Sequence, residues 1–529
     1  VRKKVFHKEV NRYMESRRPS GLLAGLNNLK WRVAGKGVLV GFVAGLLAAA
    51  YRLIIERGTE FAAGVFDQLR AKPIWIPVWI GAALLAGYLL SLLIRWEPYA
   101  KGSGIPQVEG IVLLGMKIRW YTVLAVRFLA GALGSVFGLS LGREGPSIQI
   151  GAAGGQAVCK VASRDKQEEN YLITAGAAAG LSAAFCAPLS GILFCLEEVH
   201  RSFSPLILLA ATTAALTADV VSKTIFGLTP VLAYGDIAPI PLSAYPWLIV
   251  VGLACGLIGA LANKWLLAAG TWYNRLPAWS RPMLALLLAL PCGLLLPGVL
   301  GGGQNLIHLS QGTSVALGTL ALLLVVKLAF TGTSFGSGTP GGIFMPLLAI
   351  GALTGCLVAR LLAPLGLPLG AVAAFSVCAM AGVLSAAVKA PITSILLMAE
   401  MTGSLVHLLP VAAVAFLALL VSDLLRVSPI YEVLLERLRG ADGAHTPHER
   451  GALVELPVEL GSETDGKRIC EIRWPEGALV VSVRRGEREF VPNGNTRLIH
   501  GDYITALSGE RCFAETRAEL SELCRAKEA

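Results

Sequence analysis

Charge is what this chain is short of. Only 15% of its 529 residues are Asp, Glu, Lys or Arg, where a soluble protein carries about 25%. Beside a 54% share of hydrophobic residues, that shortage excludes an ordinary soluble globule of this size. Ordered cysteine spacing is missing too. The ten cysteines show no CxxC and no ladder, which excludes a structural zinc site and a disulfide scaffold and fits a reduced compartment. Six of them, Cys186, Cys195, Cys255, Cys292, Cys356 and Cys378, fall in apolar segments as small core residues. No HExxH occurs, and His200, His308 and His407 stand isolated. Neither a metal site nor an enzymatic centre is expected, and no cofactor.

What is present is a set of long apolar windows: 35–54, 74–94, 205–226, 247–269, 283–300, 314–333 and 406–422. Crossing a bilayer takes roughly 20 such residues, so the chain reads as a polytopic helical membrane protein. The formal net charge of +11 does not point to nucleic acid, because the basic residues are concentrated before the first window. Arg2, Lys3, Lys4, Lys8, Arg12, Arg17, Arg18, Lys30, Arg32 and Lys36 place that end in the cytoplasm by the positive-inside rule. Residues 1–34 have no apolar signal-peptide core and read as a basic helix on the anionic inner leaflet.

Near residue 432 the composition turns polar and alternating. "ALVELPVEL", "ALVVSVRRG", "REFVPNG" and "YITALSG" alternate with period two between turn residues such as Asn493–Gly494. Residues 448–529 are therefore expected to form a small cytoplasmic α+β domain, joined by a linker at about 438–450.

The apolar part repeats itself. "GREGPSIQIGA" (142–152) and "GIFMPLLAIGA" (342–352) share GxxxPxxxIGA at an offset of 200. "APLSGILFCLEE" (187–198) and "APITSILLMAEM" (390–401) share AP-x-x-x-I-L-x-x-x-E at an offset of 203. Two matches in one order at nearly one offset mark a duplicated unit. Membrane transporters are often built from such repeats in inverted topology, with Gly/Pro-broken helices meeting at a central site. Three glycine-rich helix starts qualify: Gly102–Pro106, Gly142–Pro146 and Gly341–Pro346. A helix start carries about half a positive charge and free N–H groups, so converging starts bind an anion without a lysine. Glu144, placed between two glycines there, can occupy such a site as a resident anion and leave it on protonation.

The set "GSGIPQVEG", "GREGPSIQIG", "GGIFMP" and "PIYEVL", in this order, resembles the CLC family of chloride channels and chloride/proton antiporters over roughly residues 30–435. The resemblance implies an all-α membrane domain over 35–435, with two inverted repeats and broken helices, assembled as a homodimer in the lipid of a plasma or inner membrane. It implies that Ser103 and Tyr431 donate their hydroxyls to a central chloride. It implies that backbone N–H groups of Ile343 and Phe344, and those around Arg143 and Gly145, bind an outer one. Glu144 is then the gating glutamate. Glu198, the second acid of "GILFCLEEVH", corresponds to the inner proton acceptor of the antiporters, with Glu197 as an accessory acid. Glu109 and Arg127 correspond to a buried acid–base pair near the proton path. Ser103 is the residue type of chloride-selective members; nitrate-type members carry Pro there and fluoride-type members Asn.

Taken alone, several of these residues have plainer readings. A Glu-Glu pair after an apolar helix is a solvated helix end, Ser103 a loop serine or cap, and Tyr431 an interfacial aromatic. Arg143 is expected to hydrogen-bond backbone carbonyls, and Glu400 to cap or pair structurally. The tail, "PEGALVVSVRRGEREFVPNGNTRLIHGDYITALSG" (475–509), resembles the TrkA-C domain of prokaryotic ion-transport proteins. That likeness implies a bacterial or archaeal chain and either a small-molecule regulator or a passive appendage. The function expected is chloride/proton exchange. The alternatives are a passive, gated chloride channel of the same fold and, disfavoured by Ser103 and Tyr431, fluoride/proton exchange.

Overall fold

A computed structural model describes residues 19–162, 166–201, 204–232, 237–441, 451–475, 478–486, 488–509 and 513–525. The chain divides into two units, Val1–Leu438 and Arg439–Ala529.

The first unit is helical. Its elements in order are α1 (Pro19–Ala71), α2 (Ile76–Trp96), α3 (Ile105–Leu114), α4 (Trp120–Val136), α5 (Glu144–Ala162), α6 (Lys166–Phe185) and α7 (Pro188–Phe194). There follow α8 (Pro205–Phe226), α9 (Pro246–Asn274), α10 (Ser280–Leu295), α11 (Gln304–Leu309), α12 (Leu317–Gly336) and α13 (Phe344–Leu362). The last are α14 (Val372–Val388), α15 (Pro391–Thr402), α16 (Leu408–Leu424) and α17 (Ile430–Ala441). Among the described residues, seven helical segments are long and apolar enough to cross a membrane.

These spans differ from the windows read in the sequence at both ends of the buried scale. Windows 283–300 and 406–422 become the shorter helices α10 and α16, the first stopped by Pro297 in a tight turn. Conversely 344–365 and 369–388 are spans without having stood out as apolar windows. Segment 344–365 is rich in Leu and Ala and segment 369–388 in Ala, and 78% and 94% of their most apolar stretches are buried in protein. A span wrapped by other helices does not need large side chains facing lipid. The expected boundary at residue 34 falls inside α1, which continues unbroken from Pro19 to Ala71; residues 1–18 lie outside the described residues.

Small residues let α1 approach α8. Gly37, Gly41 and Gly45 recur every four residues, on one face of α1. A Cβ at Gly41 would stand 2.3 Å from the Ala214 carbonyl oxygen, and one at Gly45 2.8 Å from Ala218 Cα. Backbone meets backbone there, the packing that small-xxx-small spacing permits in membrane helices.

The duplication holds at the level of local structure. α5 begins at Glu144 and α13 at Phe344, 200 residues apart. The glycines that release the preceding helices, Gly138 and Gly338, both take left-handed φ, +76° and +80°, a conformation glycine adopts without strain. Between the halves, Gly142 N–H donates to Gly342 O at 2.7 Å and Gly342 N–H returns to Gly142 O at 2.7 Å. This bridge is antiparallel, the arrangement a twofold relation between inverted halves requires. Ser140 N–H donates to Ser334 Oγ beside it. The two Gly-x-Ser-x-Gly strings that contain these serines, 138–142 and 332–336, are thus joints between the halves rather than nucleophile turns.

The second unit holds a four-stranded sheet of β1 (Gly451–Pro457), β2 (Leu479–Arg485), β3 (Arg488–Phe490) and β4 (Asp502–Gly509), with the helix α18 (Phe513–Cys524). Strand order is β1-β4-β2-β3, antiparallel throughout, with an irregularity in β2 between Val480 and Ser482. Val458, Ile472, Val483, Leu498, Ile504 and Cys524 form its own core. Arg485 grips the buried Asp502 with two bonds of 2.7 and 2.8 Å. The backbone N–H groups of Gly461 and His500 donate to Asp465 and hold its carboxyl below the ordinary range.

Candidate functional site

Three helix starts meet where the halves join. α3 is released by Gly104 at φ +98°, with Pro106 in its first turn. α5 opens with Glu144, Gly145 and Pro146, and α13 with Phe344, Met345 and Pro346. Proline suits a first turn because its missing N–H would have no intrahelical partner. Gly145 permits the meeting: a Cβ there would lie 2.6 Å from Ser103 Oγ, 2.7 Å from Ser103 O and 3.3 Å from Gly342 Cα.

Glu144 is fully buried. Its carboxylate lies close to its own backbone N–H and to that of Met345, at the start of α13, without a hydrogen bond of ordinary geometry to either. The carboxylate of one half therefore sits on the helix end of the other, where the partial positive charge of the N-terminus favours an anion. The N–H expected to face an anion here belonged to Ile343 or Phe344; both residues are buried at the same helix start, and Met345 joins them.

Ser103 and Tyr431 come together. Their buried hydroxyls face one another, and neither makes a hydrogen bond of ordinary geometry to protein, so both are available to an anion. The Tyr431 ring stacks on Phe344, centroids 6.3 Å apart and 15° from parallel, and Phe194 packs edge-on against Phe344. Tyr431 lies within electrostatic reach of both Glu198 and Glu144.

A cavity of about 410 Å³ has Glu144 in its lining, with Arg143, Glu56, Glu60, Gln304 and Asn305 among its polar residues. Arg143 does not turn to backbone carbonyls, as expected, but to Glu56 on α1, which also takes Arg52 at 3.1 Å. An uncompensated buried guanidinium costs several kcal/mol, about 3–5 when a partner is removed, and a carboxylate offsets that cost better than neutral carbonyls. Glu56 gives no signal in the sequence, since its partner lies 87 residues away.

Glu109 and Arg127 are both buried but do not pair with each other. Arg127 donates to Gly102 O at 2.6 Å and to Gln149, fixing the loop that carries Ser103. Glu109 pairs with Arg201 at 2.7 Å, and Arg201 also reaches Glu432 at 3.3 Å. Glu198, 5% exposed, stands among Glu109, Arg201, Glu197 and Glu432. Arg201 is thus the missed cation of this acidic cluster, three residues beyond Glu198. Lys327 was also missed. It lies 200 residues after Arg127 and binds Val299 O at 2.9 Å and Gly301 O at 2.8 Å, so the repeat offset alone locates it. Glu197, expected as an accessory proton carrier, has its carboxylate engaged by Thr393. Among the described residues no cluster of His, Cys, Asp or Glu is arranged to hold a metal.

The sequence profile of the voltage gated chloride channel family matches residues 82–423, and that of the TrkA-C domain residues 453–518. The H(+)/Cl(-) exchange transporter ClcA of Salmonella paratyphi A is 32% identical over 413 residues, covering 75% of this chain and 87% of that protein. Its Salmonella typhi counterpart is 32% identical over 414 residues, with the same coverage. Among solved structures, a slow cyanobacterial Cl-/H+ antiporter aligns at a TM-score of 0.70 and 30% identity, over 77% of this chain and 98% of that one. A CLC-type fluoride/proton antiporter shares the fold at a TM-score of 0.63 and 24% identity, over 78% of this chain and 98% of that one. The chain is a multi-pass membrane protein that belongs to the voltage gated chloride channel family and carries a TrkA-C domain towards its C-terminal end.

Proposed function

We propose that the protein exchanges chloride for protons across a plasma or inner membrane, as a homodimer with one pathway per subunit and both termini in the cytoplasm. The observation that carries this is the position of Glu144: a buried carboxylate from one half resting on the helix start of the other, beside a cavity and near Ser103 and Tyr431. Chloride and the carboxylate compete for one favourable place. When chloride arrives, the carboxylate must leave; away from the helix end it loses that stabilisation and takes up a proton. When the protonated side chain turns towards the cavity and releases its proton, the anion returns to the helix end and pushes chloride on. Ser103 and Tyr431 hold chloride with neutral donors, which bind an anion without trapping it as a buried cation would.

Glu198 supplies the proton from the cytoplasmic side. Its burial among Glu109, Arg201 and Glu432 suits a carboxyl that exchanges a proton with water and passes it inward. No bond of the cargo is made or broken, so the activity is transport rather than catalysis. The TrkA-C domain is proposed to bind a small regulator.

Chloride and pH recorded together in proteoliposomes test this reading. The unmodified protein drives protons uphill on a chloride gradient; Glu144→Gln moves chloride without proton movement, and Glu198→Gln keeps chloride flux while losing proton transport. Stoichiometric proton uptake persisting in Glu144→Gln would sink the gate assignment. Absence of any proton movement in the unmodified protein would establish the passive channel instead.

A further inference from the structure

The second internal repeat, Ala187–Glu197 and Ala390–Glu400, corresponds to α7 with its final turn and to α15. Each of these helices begins without a cap of its own: Ala187 and Ala390 occupy the capping positions and offer no side-chain acceptor. A helix start leaves four N–H donors without intrahelical partners, normally met by a preceding Ser, Thr, Asp or Asn. Here the acceptor comes from the opposite half. Glu197 Oε2 accepts from Thr393 N–H at 3.0 Å and from the Thr393 hydroxyl at 2.7 Å. Glu400 accepts from Leu189 N–H at 3.0 Å, from Ser190 N–H at 2.8 Å and from the Ser190 hydroxyl at 2.6 Å. Glu400 is the repeat partner of Glu197, and Thr393 that of Ser190. Two helices thus cap each other, head to tail, with one carboxylate each.

Glu197 is also the residue before Glu198, within a wider π turn, Cys195–Val199, that ends the first helix. A carboxylate receiving a main-chain N–H that cannot rotate is fixed in place, and its neighbour in the same turn is fixed with it. We propose that Glu197 and Glu400 are positioning residues: reciprocal anchors between the halves, of which Glu197 sets the place of Glu198 and carries no proton itself. The part concerning Glu198 rests on the function proposed above.

Proton and chloride fluxes of the full chain in liposomes decide this through four variants. Gln retains an acceptor oxygen but has no carboxyl to protonate, so Glu197→Gln keeps the proton-to-chloride ratio within about twofold. Glu197→Leu removes the tie and lowers that ratio at least about fivefold; Thr393→Val keeps the main-chain donor but loses the hydroxyl and lowers it about twofold to fivefold, while Thr393→Ser keeps both donors and leaves it unchanged. If Glu197 carried protons, Gln and Leu would fail alike and Thr393→Val would be silent; that pattern overturns the proposal. Should Glu197→Leu not fold, the contrast between Thr393→Val and Thr393→Ser decides alone. Unimpaired proton flux in Glu198→Gln would overturn the role of Glu198 and leave the Glu197 pattern as a separate result.

Discussion

At the scale of single residues, the site is built from contacts that tolerate no added atom. Gly145 touches Ser103 at both its hydroxyl and its carbonyl, and the carbonyl is main chain that cannot swing away. Gly145→Ala is expected to displace the loop of Ser103, lowering chloride flux at least about tenfold at a stability cost of about 1–3 kcal/mol, read by liposome flux and thermal melting. Arg127 holds the same loop through Gly102 O. Arg127→Met leaves that carbonyl without its donor and is expected to cost about 1–3 kcal/mol, with chloride binding weakened in calorimetry and Arg127→Lys partly restoring it. Glu144, Ser103 and Tyr431 are legible in the sequence because short motifs carry them. Glu56 and Arg201 are not, because their partners Arg143 and Glu109 come from segments far along the chain. Spacing cannot show which charge a buried arginine chooses.

Among elements, the legible ones are those whose sequence departs from soluble composition. α2, α8, α9 and α12 each coincide with a long apolar window, and the tail's strands with period-two alternation. α14 stayed hidden because its many alanines give a weak apolar signal residue by residue, small side chains that close packing inside protein favours; α13, rich in Leu, is broken at its start by the Gly and Pro of the site motif. The same physics governs α1 against α8. Gly41→Leu is expected to force these helices apart, since backbone atoms lie where its Cβ must go; overpacking of this kind costs about 1–3 kcal/mol or more. A lowered melting temperature in detergent, with Gly35→Leu as a control at a position with nothing within contact distance, checks it.

For the whole molecule, the two units have separate cores, and the site draws its residues from the first alone. Removing residues 442–529 is therefore expected to leave the proton-to-chloride ratio unchanged in liposomes; a changed ratio would make the second unit part of the transport machinery. Within the first unit, the hydrogen bonds exchanged by Gly142 and Gly342 limit how the molecule can open. A transporter whose halves rock apart alternates its openings by separating their seam. Here the seam is sewn backbone to backbone at the place where rocking would have to pry it. On the function proposed above, alternation falls to the Glu144 carboxylate, which can turn without unpicking that stitch. Such a machine changes the occupant of its centre while the frame around it stays closed.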